Sequence, residues 1–72
     1  PQDLYQLRMY WDGLVLSGVQ PTRGVLLAAG FAEHMAAMLP LMNALPAPLF
    51  PDGSPSAPYN FSLATHAEKQ LV

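Results

Sequence analysis

Gly24-Val25-Leu26-Leu27-Ala28-Ala29-Gly30 (GVLLAAG) is the stretch on which the reading of this chain turns. Five apolar residues stand between two glycines. A run this short has no period that separates a buried strand from the opening of a helix. Read as a strand over Val25 to Ala29, it gives the chain a sheet element between two helical segments and makes the fold α+β.

Upstream of it, Val19 to Arg23 reads as a loop, because Pro21 discourages helical backbone at Gln20. Gly18 is the natural end of a preceding helix, since glycine accepts the left-handed conformation of a C-terminal cap. That helix is expected to start at Asp3 as N-cap. Leu4, Leu7, Trp11, Leu14 and Val15 then share one face at helical spacing. Tyr5, Met9 and Leu16 lie on the other side, so the helix is expected to be covered on more than one side. Gly13 inside it costs about 1 kcal/mol relative to alanine.

Downstream, Phe31, Met35, Met38, Leu39, Met42 and Leu45 recur mostly at steps of three and four, a helical stripe. Pro40 falls within it and removes a backbone donor, which predicts a kink or a break. Residues 46–58 (PAPLFPDGSPSAP) hold five prolines and read as an extended linker or surface loop with a turn at Pro51-Asp52-Gly53. Tyr59 to Ala64 alternates large apolar with small or polar residues, the clearest strand in the sequence. Thr65-His66-Ala67-Glu68 spells a capping box, announcing a short final helix. No internal repeat is visible. The expected order is helix, strand, helix, Pro-rich loop, strand, short helix, with both strands in one sheet covered by the first two helices. Residues 1–72 read as one small domain or as the C-terminal fragment of a larger one.

Composition narrows the function. Hydrophobic residues make up 51% of the 72 and charged residues 11%, against about 25% charged in an average soluble domain. So few charges leave apolar surface to be met by a partner protein, by a second copy, or by the remainder of a longer chain. Net charge is −2. Arg8, Arg23 and Lys69 are too few for a self-sufficient nucleic-acid binder. The apolar runs are interrupted by charges or by prolines, so no membrane span is expected. The start is acidic, unlike a signal peptide. A chain without cysteine fits any redox compartment, and a cytoplasmic location is expected.

Few residues suggest chemistry. Glu33-His34 and His66-Ala67-Glu68 lack the three or four convergent ligands of a metal site and read as surface or capping residues; no metal ligands are assigned. No serine has a nucleophile-elbow context, and the glycines form no phosphate loop. Arg8 and Asp12, four apart, can pair on a helix. Trp11, Met35, Met38 and Met42 are candidates for a protein interface, where aromatics and methionine are enriched, although core packing is the more ordinary reading of the methionine stripe. Gln6 and Tyr10, also four apart, share a helix face.

The stretch LYQLRMYWDGL followed by GVLLAA resembles the segment after the catalytic strand in RecB-like members of the PD-(D/E)xK nuclease superfamily. There a helix carrying Gln-x-x-x-Tyr precedes a sheet strand. The resemblance covers residues 3–29. It implies that Gln6 helps order the active site or a nearby phosphate, that Tyr10 supports it, and that Arg8 and Arg23 are the DNA contacts of this segment. The superfamily's metal-binding Asp and Glu-x-Lys belong N-terminal to this helix and are not present here. Pro51-Asp52 lies on the wrong side, and Glu68-Lys69 lacks the spacer residue. The resemblance therefore implies the C-terminal part of a nuclease-like domain, with no cofactor of its own. The intact parent would cleave DNA with Mg²⁺ held by carboxylates outside these residues. The alternative is a non-catalytic interaction or oligomerisation module that uses apolar helix faces.

Overall fold

The computed structural model describes residues 2–28 and 30–72. Its elements are α1 (Gln2–Leu16), β1 (Gly24–Leu26), α2 (Ala32–Asn43), β2 (Phe61–Leu63) and α3 (His66–Lys69). The fold is α+β, as the alternation of patterns predicted.

GVLLAAG enters the sheet. Its first three residues form β1, and Leu27 and Ala28 lie beyond the strand; the expected last residue, Ala29, lies outside the described residues. β1 and β2 run parallel, with Gly24 opposite Phe61, Val25 opposite Ser62 and Leu26 opposite Leu63. The ladder continues one bond past each end: Gly24 N–H donates to the Asn60 carbonyl and Ala64 N–H to the Leu26 carbonyl, both at 2.9 Å. A parallel pair needs a long crossover, and α2 with the Pro-rich loop supplies it.

α1 starts at Gln2, so Asp3 lies inside the first turn and not ahead of it as N-cap. A carboxylate there still faces the positive end of the helix dipole. Gly18 ends the helix as expected, at φ 89°. Its N–H reaches the Val15 carbonyl at 2.9 Å and Val19 N–H reaches that of Leu14 at 2.9 Å, the paired bonds of a Schellman motif. Leu4, Trp11 and Val15 are buried. Leu14, expected beside them, is exposed. So are Tyr5, Met9 and Leu16, which leaves uncovered the second side that the sequence predicted to be covered.

α2 runs through Pro40 to Asn43 without a break. The missing donor falls near the helix end, and the ring lies on the exposed side. The Pro40 carbonyl still accepts from Ala44 N–H at 3.2 Å. Met35 and Leu39 are buried. Phe31, expected as the first member of the stripe, instead sits at the N-cap with left-handed backbone (φ 57°, ψ 24°) and a side chain 82% exposed. That conformation costs a bulky residue about 1 kcal/mol or more.

Residues 46–58 are more ordered than a linker. Leu49 and Pro55 form an antiparallel bridge. Between them Gly53 N–H donates to the Phe50 carbonyl at 2.8 Å, with Gly53 at φ 83°. The Asp52 carboxylate accepts from the Ser54 backbone and hydroxyl at 2.9 and 2.6 Å; the hydroxyl contact is the main reason its pKa is lowered. The capping box is present in full: Glu68 N–H donates to Thr65 Oγ1 at 3.1 Å, and Thr65 N–H to Glu68 Oε1 at 2.8 Å.

The core joins Leu4, Trp11 and Val15 of α1 to Leu26, Met35, Leu39, Tyr59 and Phe61. Three rings form its centre. Phe61 meets Trp11 edge-on at 5.3 Å between centroids and stacks on Tyr59 at 5.0 Å, arrangements that suit the ring quadrupoles. Gly24 lies against this cluster. A Cβ there would stand 2.6 Å from Phe61 Cδ1 and 3.2 Å from Leu7 Cδ1. Glycine is what lets β1 approach both α1 and β2. Among the described residues no helix is long and apolar enough to cross a membrane.

Candidate functional site

On the outer edge of β2 the Phe61 peptide groups are capped by a side chain, and on the outer edge of β1 no such cap is found among the described residues. On β2, Asn43 at the end of α2 grips the strand from outside. Its Nδ2 donates to the Phe61 carbonyl at 3.1 Å, and its Oδ1 accepts from Phe61 N–H at 2.9 Å. The side-chain amide thus takes the place of a neighbouring strand. On β1, Gly24 and Leu26 direct their peptide groups at β2, so those of Val25 point the other way, because successive residues of a strand alternate. Among the described residues no strand pairs with them.

That open edge forms one wall of a groove of about 350 Å³. Val25 to Leu27 supply the strand side, and Asp3, Gln6, Leu7 and Tyr10 supply the helix side. A smaller hollow of about 110 Å³ continues it past Leu7, Tyr10 and Trp11 to Leu14, Pro21, Arg23 and Gly24. α1 and β1 run in opposite senses here, so Asp3 lies towards the Leu27 end and Leu14 towards the Gly24 end. Tyr10, Leu14 and Leu27 are 67%, 45% and 47% exposed.

The candidate residues therefore separate. Gln6 and Tyr10 stand together on the groove wall, both exposed. Arg8 faces elsewhere. Its Nε donates to the Tyr59 hydroxyl at 3.2 Å, and that hydroxyl donates to Asp12 Oδ1 at 2.5 Å. The direct Arg8–Asp12 pair is longer, 3.8 Å, and half exposed; such pairs contribute little by themselves. Burial, and then the bond to Asp12, push the Tyr59 hydroxyl above the ordinary tyrosine range. Arg23 is also engaged. Its guanidinium makes two bonds to Glu68, at 2.8 and 3.1 Å, and a third to Ser62 Oγ at 3.1 Å. The Thr65 backbone N–H first, and Arg23 second, hold the Glu68 carboxyl below the usual carboxylate range.

Trp11 and Met35 are core residues, 3% and 5% exposed, because they fill the space beneath the two strands. Trp11 nonetheless lines the smaller hollow beside Leu7 and Tyr10. Met38 and Met42 are half-buried against the same core. The indole Nε1 of Trp11 is buried without a hydrogen-bond partner among the described residues. Glu33, His34 and His66 are exposed. Among the described residues no group of three metal-ligating side chains converges.

Several organising residues escaped the sequence reading: Asn43; Asn60, whose Nδ2 donates to the Thr22 carbonyl at 3.0 Å; and Gln20, whose Oε1 accepts from Ala57 N–H at 2.8 Å. Each bonds to backbone far away in the chain, and no local pattern announces that. Chemically, the groove and its continuation offer apolar contact, one amide, one phenol, one carboxylate, the Arg23 guanidinium and unpaired strand peptide groups. These are the materials of binding. Comparison with known protein families, with curated proteins and with solved structures finds no match for this chain.

Proposed function

We propose that this chain is an interaction module that docks a polypeptide in the groove between α1 and the open edge of β1. The observation that carries this reading is the groove itself. Exposed Tyr10, Leu14 and Leu27 line it beside strand peptide groups that β2 leaves unpaired. Apolar side chains next to open backbone donors and acceptors suit a protein partner. The test is selection from a phage-displayed library of random peptides on the immobilised protein. Wild type is expected to enrich a related set of sequences and Tyr10→Asp to enrich none of them, because the substitution sets a charge against the apolar wall. Equal enrichment on both proteins would place the binding elsewhere.

A second reading follows from the position of Gln6 and Tyr10. They share one wall beside a sheet strand, which is the arrangement the nuclease resemblance implies. Asp3 is the one carboxylate on this groove, so the described residues do not compose a Mg²⁺ site. No step of phosphodiester cleavage is assigned to them. In this reading a longer parent supplies the carboxylates, and Gln6→Ala in that parent lowers metal-dependent DNA cleavage while the fold stays intact. Undiminished cleavage removes Gln6 from the mechanism.

A further inference from the structure

We infer that α3 is a strap fastened by one ionic latch, which lifts off the outer face of the sheet when the Arg23–Glu68 pair is weakened while the sheet itself stays folded. The inference is independent of the docking reading above.

The sheet has two faces. Gly24, Leu26 and Phe61 turn to the core and are buried. Val25 and Ser62, paired across the ladder, therefore point to the other face. The Arg23 guanidinium bonds at once to Ser62 Oγ and to Glu68, which places α3 over that second face. Further along, Lys69 and Val72 stand across a hollow of about 440 Å³ from Leu27 and Ala28.

What holds α3 there is polar. The helix buries no residue. Of residues 65–72, Glu68 alone is not exposed. Leu71 and Val72, which follow the helix, are 86% and 89% exposed. Among the described residues, Arg23 makes the only hydrogen bonds between residues 65–72 and the rest of the chain, at 2.8 Å to Glu68 Oε2 and 3.1 Å to Glu68 Oε1. The hollow lies where apolar packing would otherwise support the pair.

The capping box gives the strap its hinge. Ala64 N–H makes the last rung of the ladder, and Thr65 then opens α3 from extended backbone, at φ −70° and ψ 167°. The box closes between Thr65 and Glu68, so it shapes the turn without tying it to the sheet. A single helical turn is not stable alone in water. Cut off from Arg23, α3 unravels and its amides report the release. Both partners of the pair are partly exposed, so salt screens it. Release also frees the Arg23 guanidinium on the outer face.

Hydrogen exchange followed by NMR tests this, on wild type and Arg23→Gln, which leaves the capping box intact. The reporters are the Lys69 and Gln70 amides, bonded to the Thr65 and Ala67 carbonyls, against the Gly24 and Ala64 amides of the ladder. In wild type, raising salt from about 0.05 M to about 0.5 M is expected to speed exchange at Lys69 and Gln70 about two- to fivefold, the worth of one exposed ion pair, with Gly24 and Ala64 unchanged. Arg23→Gln is expected to show the faster rates already at low salt and to respond no further. Lys69 and Gln70 exchanging in step with Ala64 would overturn the strap, because α3 would then leave only with the sheet. Rates unmoved by salt and by Arg23→Gln would overturn the latch. Exchange at unfolded-chain rates in wild type at low salt would overturn both, because α3 would not be fastened at all.

Discussion

Replacing Gly24 by alanine sets two effects of opposite sign against each other. Gly24 lies outside the left-handed region, where backbone strain would arise. At such positions a glycine-to-alanine change stabilises by about 0.4–1 kcal/mol, through the entropy of the unfolded chain. Against it stands the new methyl group, 2.6 Å from Phe61 Cδ1, 3.0 Å from Cε1 and 3.2 Å from Leu7 Cδ1. The phenyl ring has nowhere to go. It is 3% exposed and held between Trp11 and Tyr59, at 5.3 and 5.0 Å. Overpacking of this kind costs about 1–3 kcal/mol. The packing effect wins, and the net loss is about 1–2 kcal/mol. In a domain of this size that lowers Tm by about 4–16 °C. Thermal unfolding followed by the emission of Trp11, the single tryptophan, together with far-ultraviolet circular dichroism reads it directly. In a Phe61→Leu background the ring is gone, and Gly24→Ala should become neutral or stabilising, a coupling of about 1–3 kcal/mol between the two sites. A Gly24→Ala protein that melts at or above wild type would refute the packing argument.

Gly13→Ala should have the reverse sign. Its Cβ would meet nothing within 4 Å, and removing a mid-helix glycine raises stability by about 0.5–1 kcal/mol, measurable by urea unfolding. Asn43→Ala strips both partners from the Phe61 peptide groups and should cost about 1–3 kcal/mol, with faster hydrogen exchange at the Phe61 amide. Unchanged exchange there would mean that the clamp does not hold in solution. Glu68 governs part of the acid response. Its folded pKa is depressed, so the stability it contributes is present above its unfolded pKa and is lost as pH falls through the lower folded value. Glu68→Gln should therefore flatten the decline in unfolding free energy between neutral pH and about pH 3. An acid limb as steep as that of wild type would assign the decline to other carboxyls.

The parts of the fold that were legible in the sequence are those whose determinants are close together in the chain. Thr65 and Glu68 cap α3 because both halves of the box lie within one turn. Gly18 closes α1 because the positive φ is needed where the helix stops. Tyr59 and Phe61 bury one face because a strand alternates. Errors arose where the decisive neighbour is remote. The α1 pattern put Leu14 inside, but no element packs over it, whereas Trp11 three residues earlier is covered by rings from positions 59 and 61. Phe31 matched the stripe by spacing and lost its place because the chain enters α2 through a left-handed residue there. Of the site, Gln6 and Tyr10 were legible as neighbours on a helix. The groove was not, since an open edge is a property of the assembled sheet. Nor was the capture of Arg23 by Glu68, 45 positions away.

The parallel ladder has a kinetic consequence. Arg23 and Ser62, which meet beside it, are separated by 39 positions. A hairpin could have paired its strands across a short turn. Here the intervening chain, with α2 and the loop of prolines, must be gathered before the first rung can close. Closing so long a loop adds only modestly to the equilibrium cost, since the entropy grows with the logarithm of its length. It weighs on the rate instead, because high contact order slows folding. Until the strands meet, GVLLA has neither edge satisfied. The segment that gives the finished protein its open edge is thus the one that leaves the nascent chain most exposed to wrong pairing.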